Sequence, residues 1–233
     1  MRKHTRTLLV GISALITLGT LSACNGGTST ETTPAPETAP TTATAAPFPQ
    51  SAKYIADMPS PNGKTMTIGI AVDGTEVAAY ACNGIDDEAW FFGNQSDGTI
   101  DITGRFRDTL KASFNGKDVV GDLTMNGVPY HFTAPAVPAP AGMYTAEFEG
   151  VRASWVMRAD GSATGVQNNG LRGSDITQAE LQQLRDDQFR NEVRNKRQLQ
   201  QAQQIVRLQD RGFTSTINGH PVTLVVVNGN FRL

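Results

Sequence analysis

The chain has 233 residues, 39% of them hydrophobic, 7% aromatic and 18% charged, with a formal net charge of −2. Arg2, Lys3 and Arg6 are the only charged side chains in the first 23 residues, so the remainder holds 17 basic against 22 acidic residues, a net of −5. That balance argues against a general nucleic-acid binder, which needs a basic face; two cysteines and three histidines argue against a disulfide scaffold and against a multi-ligand metal centre, and no cofactor is expected.

Residues 1–23 have the parts of a secretory signal. Arg2, Lys3 and Arg6 form a positive start, and 8–21 is a mostly apolar run of 14 residues. A spanning helix needs about 20 apolar residues, so the run is too short to cross a bilayer. It ends in Leu21-Ser22-Ala23-Cys24. This ending resembles the lipobox of bacterial lipoproteins. The resemblance implies cleavage before Cys24, diacylation of its sulfur with palmitate-like chains, and anchoring on the extracytoplasmic face of a bacterial membrane. One acyl chain binds only marginally, whereas two or three attach firmly.

Residues 24–50 follow as the lipidated cysteine and a tether. From 25 to 50 there are eight threonines, five prolines and five alanines, and the only large apolar residue is Phe48. Such a composition buries too little surface to offset the entropy of ordering. Extended at about 3.1 Å per residue, it reaches roughly 80 Å. Thr/Pro/Ala tethers of this kind resemble those of actinobacterial lipoproteins, which implies that the threonines can be glycosylated.

Residues 51–233 read as a single β-rich domain. Asn-Gly begins at 62, 83, 115, 126, 169, 218 and 228, and Asp-Gly at 73, 97 and 160. These pairs tolerate the positive φ of tight hairpin turns. Strand-forming runs lie between them at 66–72, 75–82, 88–93, 99–104, 109–114, 118–125, 128–133, 143–148, 151–158 and 162–166. Met66, Ile68, Ile70 and Val72 share one face, Ile100 and Ile102 another, and Leu110, Ala112 and Phe114 a third. The pattern predicts one-side-wet antiparallel strands in a meander that curls into a sandwich or small barrel. Pro135, Pro138 and Pro140 mark a crossing loop.

From 174 to 211 the character changes. Thr177 and Glu180 fit a capping box, with Ile176 and Leu181 placed as a staple. Glycine and proline are absent until Gly212, and ten glutamines lie between 178 and 209. The spacing predicts a long helix over about 177–210. At about 51 Å it would overhang a body about 40 Å across, so it either breaks near Asn195 or projects toward a partner. The apolar stripe has a gap at 194–198, RNKRQ. A terminal hairpin is expected over 213–233, with 224–227 as a covered strand. The fold class is thus α+β, mainly antiparallel β.

The chemistry is sparse. Cys82 is the free thiol once Cys24 is lipidated, and it reads as a small buried hydrophobe. His131 and His220 are the candidate bases for it. Asp86-Asp87-Glu88 reads as a solvated acidic turn. Trp90-Phe91-Phe92 sends rings to both sheet faces, and Trp90 and Phe92 are candidates for lining a cavity. No GxSxG, P-loop, dinucleotide fingerprint or HExxH occurs, so no catalytic residue is named and a binding role is preferred to an enzymatic one. Three functions remain open. One is a binding domain for an envelope component, a small apolar ligand or a partner protein. Another is a scaffold acting through helix 177–210. The least supported is an envelope hydrolase.

Overall fold

The computed structural model describes residues 45–59, 63–170, 183–209 and 212–233. The expected lipobox with Cys24, and the expected capping box at 177–180, lie outside the described residues.

Eight strands run as an antiparallel meander, each paired with the next. They are β1 (Ser51–Met58), β2 (Met66–Asp73), β3 (Glu76–Cys82), β4 (Glu88–Ser96), β5 (Thr99–Thr103), β6 (Thr109–Phe114), β7 (Asp118–Met125) and β8 (Val128–Pro135). The sheet curls until its edges meet: Tyr54 bridges Ala136, and the Val137 N–H donates to the Lys53 carbonyl at 2.8 Å. The result is a nearly closed barrel. Its interior takes apolar side chains from all eight strands, from Tyr54 and Ile68 through Phe91, Ile100 and Leu110 to Leu123 and Phe132. Alanines at 79, 81, 112 and 134 sit among the larger side chains, as filling a narrow barrel requires.

The chain then leaves the barrel through the proline-rich crossing. It forms β9 (Gly142–Phe148), β10 (Val151–Met157), β11 (Ala163–Asn168) and, after the helical turns described below, β12 (Leu199–Gln201). These strands lie in a five-stranded sheet in the order β12, β11, β10, β9, β16, the last being Val225–Val227. A three-stranded sheet, ordered β13 (Val206–Arg207), β14 (Phe213–Ile217), β15 (His220–Thr223), completes the fold. Ile55, Ala71, Tyr80 and Trp90 on the barrel's outer wall pack with Met143, Val156 and Val166 of the five-stranded sheet. The other face of that sheet sends Tyr144, Trp155 and Met157 against Ile217, Val222 and Leu224. Three layers therefore stack, and the alternation of each strand serves two interfaces at once.

This stacking corrects the expectation of a one-side-wet strand for β2, and β3 beside it behaves alike. Both are buried on both faces, because the outward side is covered by the five-stranded sheet. Gly69 marks a close approach: a Cβ there would lie 2.5 Å from Met143 Cγ. β5 keeps the expected alternation, with Ile100 and Ile102 inside and Asp101 and Thr103 outside. The turns follow the dipeptides at three hairpins: Asp97-Gly98, Asn126-Gly127 and Asn218-Gly219 all have positive φ at both positions. Glu149-Gly150 does the same without an Asn or Asp.

The long helix over 177–210 is not found. Within 183–209 the helical residues include Asp186–Gln188, a π turn at Phe189–Val193 and a 3-10 turn at Arg194–Lys196. Beyond Lys196 the glutamine-rich segment becomes β12, pairing Val166–Asn168 of β11. Helix propensity is a weak prior that tertiary pairing overrides; an open strand edge satisfies this backbone, and the apolar stripe was too thin to bury a helix. The hairpin at 213–223 is found, but residues 224–227 are not a covered strand. The chain switches sheets at Leu224, and β16 is an edge strand, with Val225 and Val226 exposed and Val227 buried. Among the described residues no helix is long and apolar enough to cross a membrane.

Candidate functional site at the barrel end

The loops after β3, β5 and β7 open at one end of the barrel, and residues 184–197 lie across them. Phe189 and Val193 are buried there with Phe106 and Leu184. The Arg107 guanidinium sits 4.3 Å over the Phe189 ring and reaches Asp186 at 2.6 Å.

Two arginines three residues apart fix the segment. Arg194 Nη1 donates to both carboxylate oxygens of Asp108 at 2.7 Å, and its Nη2 donates to Asp87 at 2.8 Å. Arg197 donates to Asp87 at 3.0 Å and to the Glu88 carbonyl at 2.8 Å, with its guanidinium 4.6 Å over the Phe106 ring. Asp108 also accepts the Asn126 backbone N–H at 2.9 Å. Burial pushes the Asp108 carboxyl above the usual range, while Arg194 opposes the rise.

Glu88 is buried beside this group. It accepts from the Tyr80 hydroxyl at 3.0 Å, from Arg152 at 3.1 Å and from Asn168 at 3.0 Å. Each member of the acidic triplet therefore has its own partners, Asp86 pairing Lys64 at 2.9 Å. Asn83 builds the loop by accepting the N–H groups of Ile85, Asp86 and Asp87. This corrects the solvated acidic turn: Asp87 and Glu88 are structural anions. Among the described residues no group of acids, histidines or cysteines could hold a metal ion.

Between this network and the barrel rim lies a cleft of about 500 Å³. Met66, Met125 and Tyr130 contribute its apolar floor, and Lys64, Asn126 and Asn195 its polar rim. The size suits a small-molecule or short-chain ligand. An apolar floor with amide and ammonium groups around it can hold a polar ligand by hydrogen bonds while a less polar part lies on the floor.

The other residues singled out in the sequence lie elsewhere. Trp90 and Phe92 face outward from the barrel, stacked at 5.4 Å, with Phe231 5.6 Å from Trp90. The ring sent into the barrel is that of Phe91. Cys82 is fully buried, and burial pushes its thiol up to about 12. His131 pairs with Asp122 at 3.0 Å and His220 stacks on Phe148 at 4.4 Å, both exposed. A Cys24→Ala chain should therefore react with a thiol reagent at pH 8 only as fast as it unfolds, and at once in denaturant. Fast native labelling, followed by absorbance, would show that the thiol is reachable and ionisable.

Arg194, Arg197 and Asp108 were not singled out from the sequence. The signal for the two arginines was the apolar gap at 194–198, where they stand three residues apart with nothing apolar between them; Asp108 had none. A scan against protein-family models finds no match to this chain, and searches of curated proteins and of solved structures find none either, so the site's own chemistry carries the functional reading.

Proposed function

We propose that the chain is an exported lipoprotein, anchored to a membrane by acyl chains on Cys24, whose β-rich domain binds a polar component of the cell envelope in the barrel-end cleft. The anchor rests on the order of features at the amino terminus: basic start, short apolar run, Leu21-Ser22-Ala23-Cys24, then a tether without a core. The ligand assignment rests on the filled barrel. Its interior is packed by side chains from every strand, so an apolar cargo has no room there, and the open space beside it has a polar rim.

Two measurements test this. Cys24→Ala should abolish metabolic acyl labelling and move the protein out of the membrane fraction; unchanged partition overturns the anchor. The unlipidated full chain, purified gently from an exporting host, should carry a co-purifying mass in native mass spectrometry. Asn195→Trp should remove that mass without lowering the melting temperature, because the indole fills the cleft. A mass retained by Asn195→Trp overturns the cleft assignment.

A further inference from the structure

The opposite end of the barrel is closed by the chain's own residues 45–50. The Ala46 N–H donates to the Phe114 carbonyl at 2.7 Å, and the Gly74 N–H donates to the Gln50 carbonyl at 2.7 Å. The Phe48 ring stacks on Phe114 with 5.1 Å between centroids and meets Tyr54 edge-on at 6.0 Å. Ala45, Ala46 and Phe48 are half-buried, while Pro47 and Pro49 face outward.

The seat is shaped for a backbone. Gly98 has a φ of 75°, and a Cβ on it would collide with the Ala46 carbonyl oxygen. Beneath the seat Tyr54 is 1% exposed, and its hydroxyl has no hydrogen-bond partner among the described residues. The seated segment forms no regular secondary structure. The Phe48 ring, the packed Ala46 side chain and two backbone hydrogen bonds are its described attachment, against a barrel core drawn from eight strands.

We propose that this barrel mouth is a peptide-binding groove for an extended, proline-flanked aromatic segment, and that Ala45–Gln50 occupies it as a displaceable plug. Prolines at 47 and 49 stiffen the occupant before it docks, which lowers the entropy lost on seating. A partner peptide of the same chemistry, Pro-aromatic-Pro, competes for the seat. Its binding frees residues 45–50 to join the tether, adding to its reach by at most their contour of roughly 19 Å at about 3.1 Å per residue. The proposal stands apart from the cleft and from the lipid anchor.

The probe is a fluorescent peptide with the sequence of residues 42–50, titrated by anisotropy into the unlipidated Cys24→Ala full chain. The chain carrying Phe48→Ala, whose own plug is weakened, should bind it saturably and at least tenfold more tightly than the chain with Phe48. The same peptide with alanine in place of its phenylalanine should not bind. Gly98→Ala in the Phe48→Ala background should abolish binding, which locates the seat. Equal binding with and without Phe48, no binding to Phe48→Ala, or binding unaffected by Gly98→Ala each overturns the proposal. Should Phe48→Ala lack a cooperative melt, Ala46→Pro serves instead: it removes the N–H bonded to Phe114 and leaves the Phe48 ring in place. Tighter peptide binding by that variant supports the proposal, and no gain overturns it.

Discussion

Replacing Arg194 with alanine is expected to lower stability by about 3–5 kcal/mol, the cost of stranding a buried charge. Arg194 is 5% exposed and bonds Asp108 and Asp87 together. Without it Asp108, itself 2% exposed, keeps the Asn126 N–H, and the like charge of Asp87 remains nearby. A carboxyl whose folded pKa lies above its unfolded value binds protons more readily in the fold, so stability rises as pH falls through that range. Removing the guanidinium raises that folded pKa further. The deficit of Arg194→Ala should therefore be largest at pH 7 and narrow toward pH 5, read by urea unfolding at both. The double variant Arg194→Met, Asp108→Leu should lose less than Arg194→Ala, because it removes the orphaned carboxylate as well. A single-variant cost below about 1 kcal/mol would mean that water reaches the pair and that it behaves as a surface bridge.

Trp155→Ala is expected to cost a similar amount, about 3–5 kcal/mol, by a different mechanism. Trp155 is 1% exposed and lies on the face of β10 turned toward the three-stranded sheet. Its indole N–H donates to the Gln203 carbonyl at 2.9 Å, and the same carbonyl accepts the Ser215 hydroxyl at 3.1 Å. Truncation thus empties a large volume between two layers and releases the strand connection that leads into β13. Hydrogen exchange should report the loss unevenly, with β14 and β15 amides losing protection before those of β2 and β3. Uniform loss would mean that the three layers unfold as one unit. Trp155→Phe keeps most of the packing and gives up the hydrogen bond, for about 1–2 kcal/mol.

The barrel was legible because its signals are local. Alternation at 66–72 and 99–104 and the turn pairs at 97, 126 and 218 encode pairing between neighbours in sequence, which a meander uses throughout. The second and third layers were less legible because they depend on remote surfaces. Nothing near β2 announces that Gly69 faces Met143. Nothing in the glutamine-rich run announces that β11 offers it an edge, so its helix-forming composition misled. β1 was missed and β16 misplaced for the same reason: Ser51–Met58 follows a low-complexity stretch, and Val225–Val227, expected as a covered strand of the terminal hairpin, changes sheets at a single residue, Leu224, to pair with β9. In the site, the acidic triplet at 86–88 was visible as a cluster, but its partners at 152, 194 and 197 lie more than sixty residues downstream. Buried ion pairs between distant segments leave no periodic trace.

The switch at Leu224 has a consequence for assembly. Within about twenty residues the chain passes through the three-stranded sheet as β14 and β15 and the five-stranded sheet as β16. It then reaches the barrel wall, where Gly229 donates to Asp73 at 2.7 Å and Phe231 packs near Trp90. This stretch acts as a clasp through all three tiers. A chain emerging amino-end first can curl its barrel early, since that barrel is built from sequential neighbours. Its tiers cannot lock until the clasp arrives, and contacts so distant in sequence form slowly. Locking of the three tiers is thus expected to follow closure of the barrel.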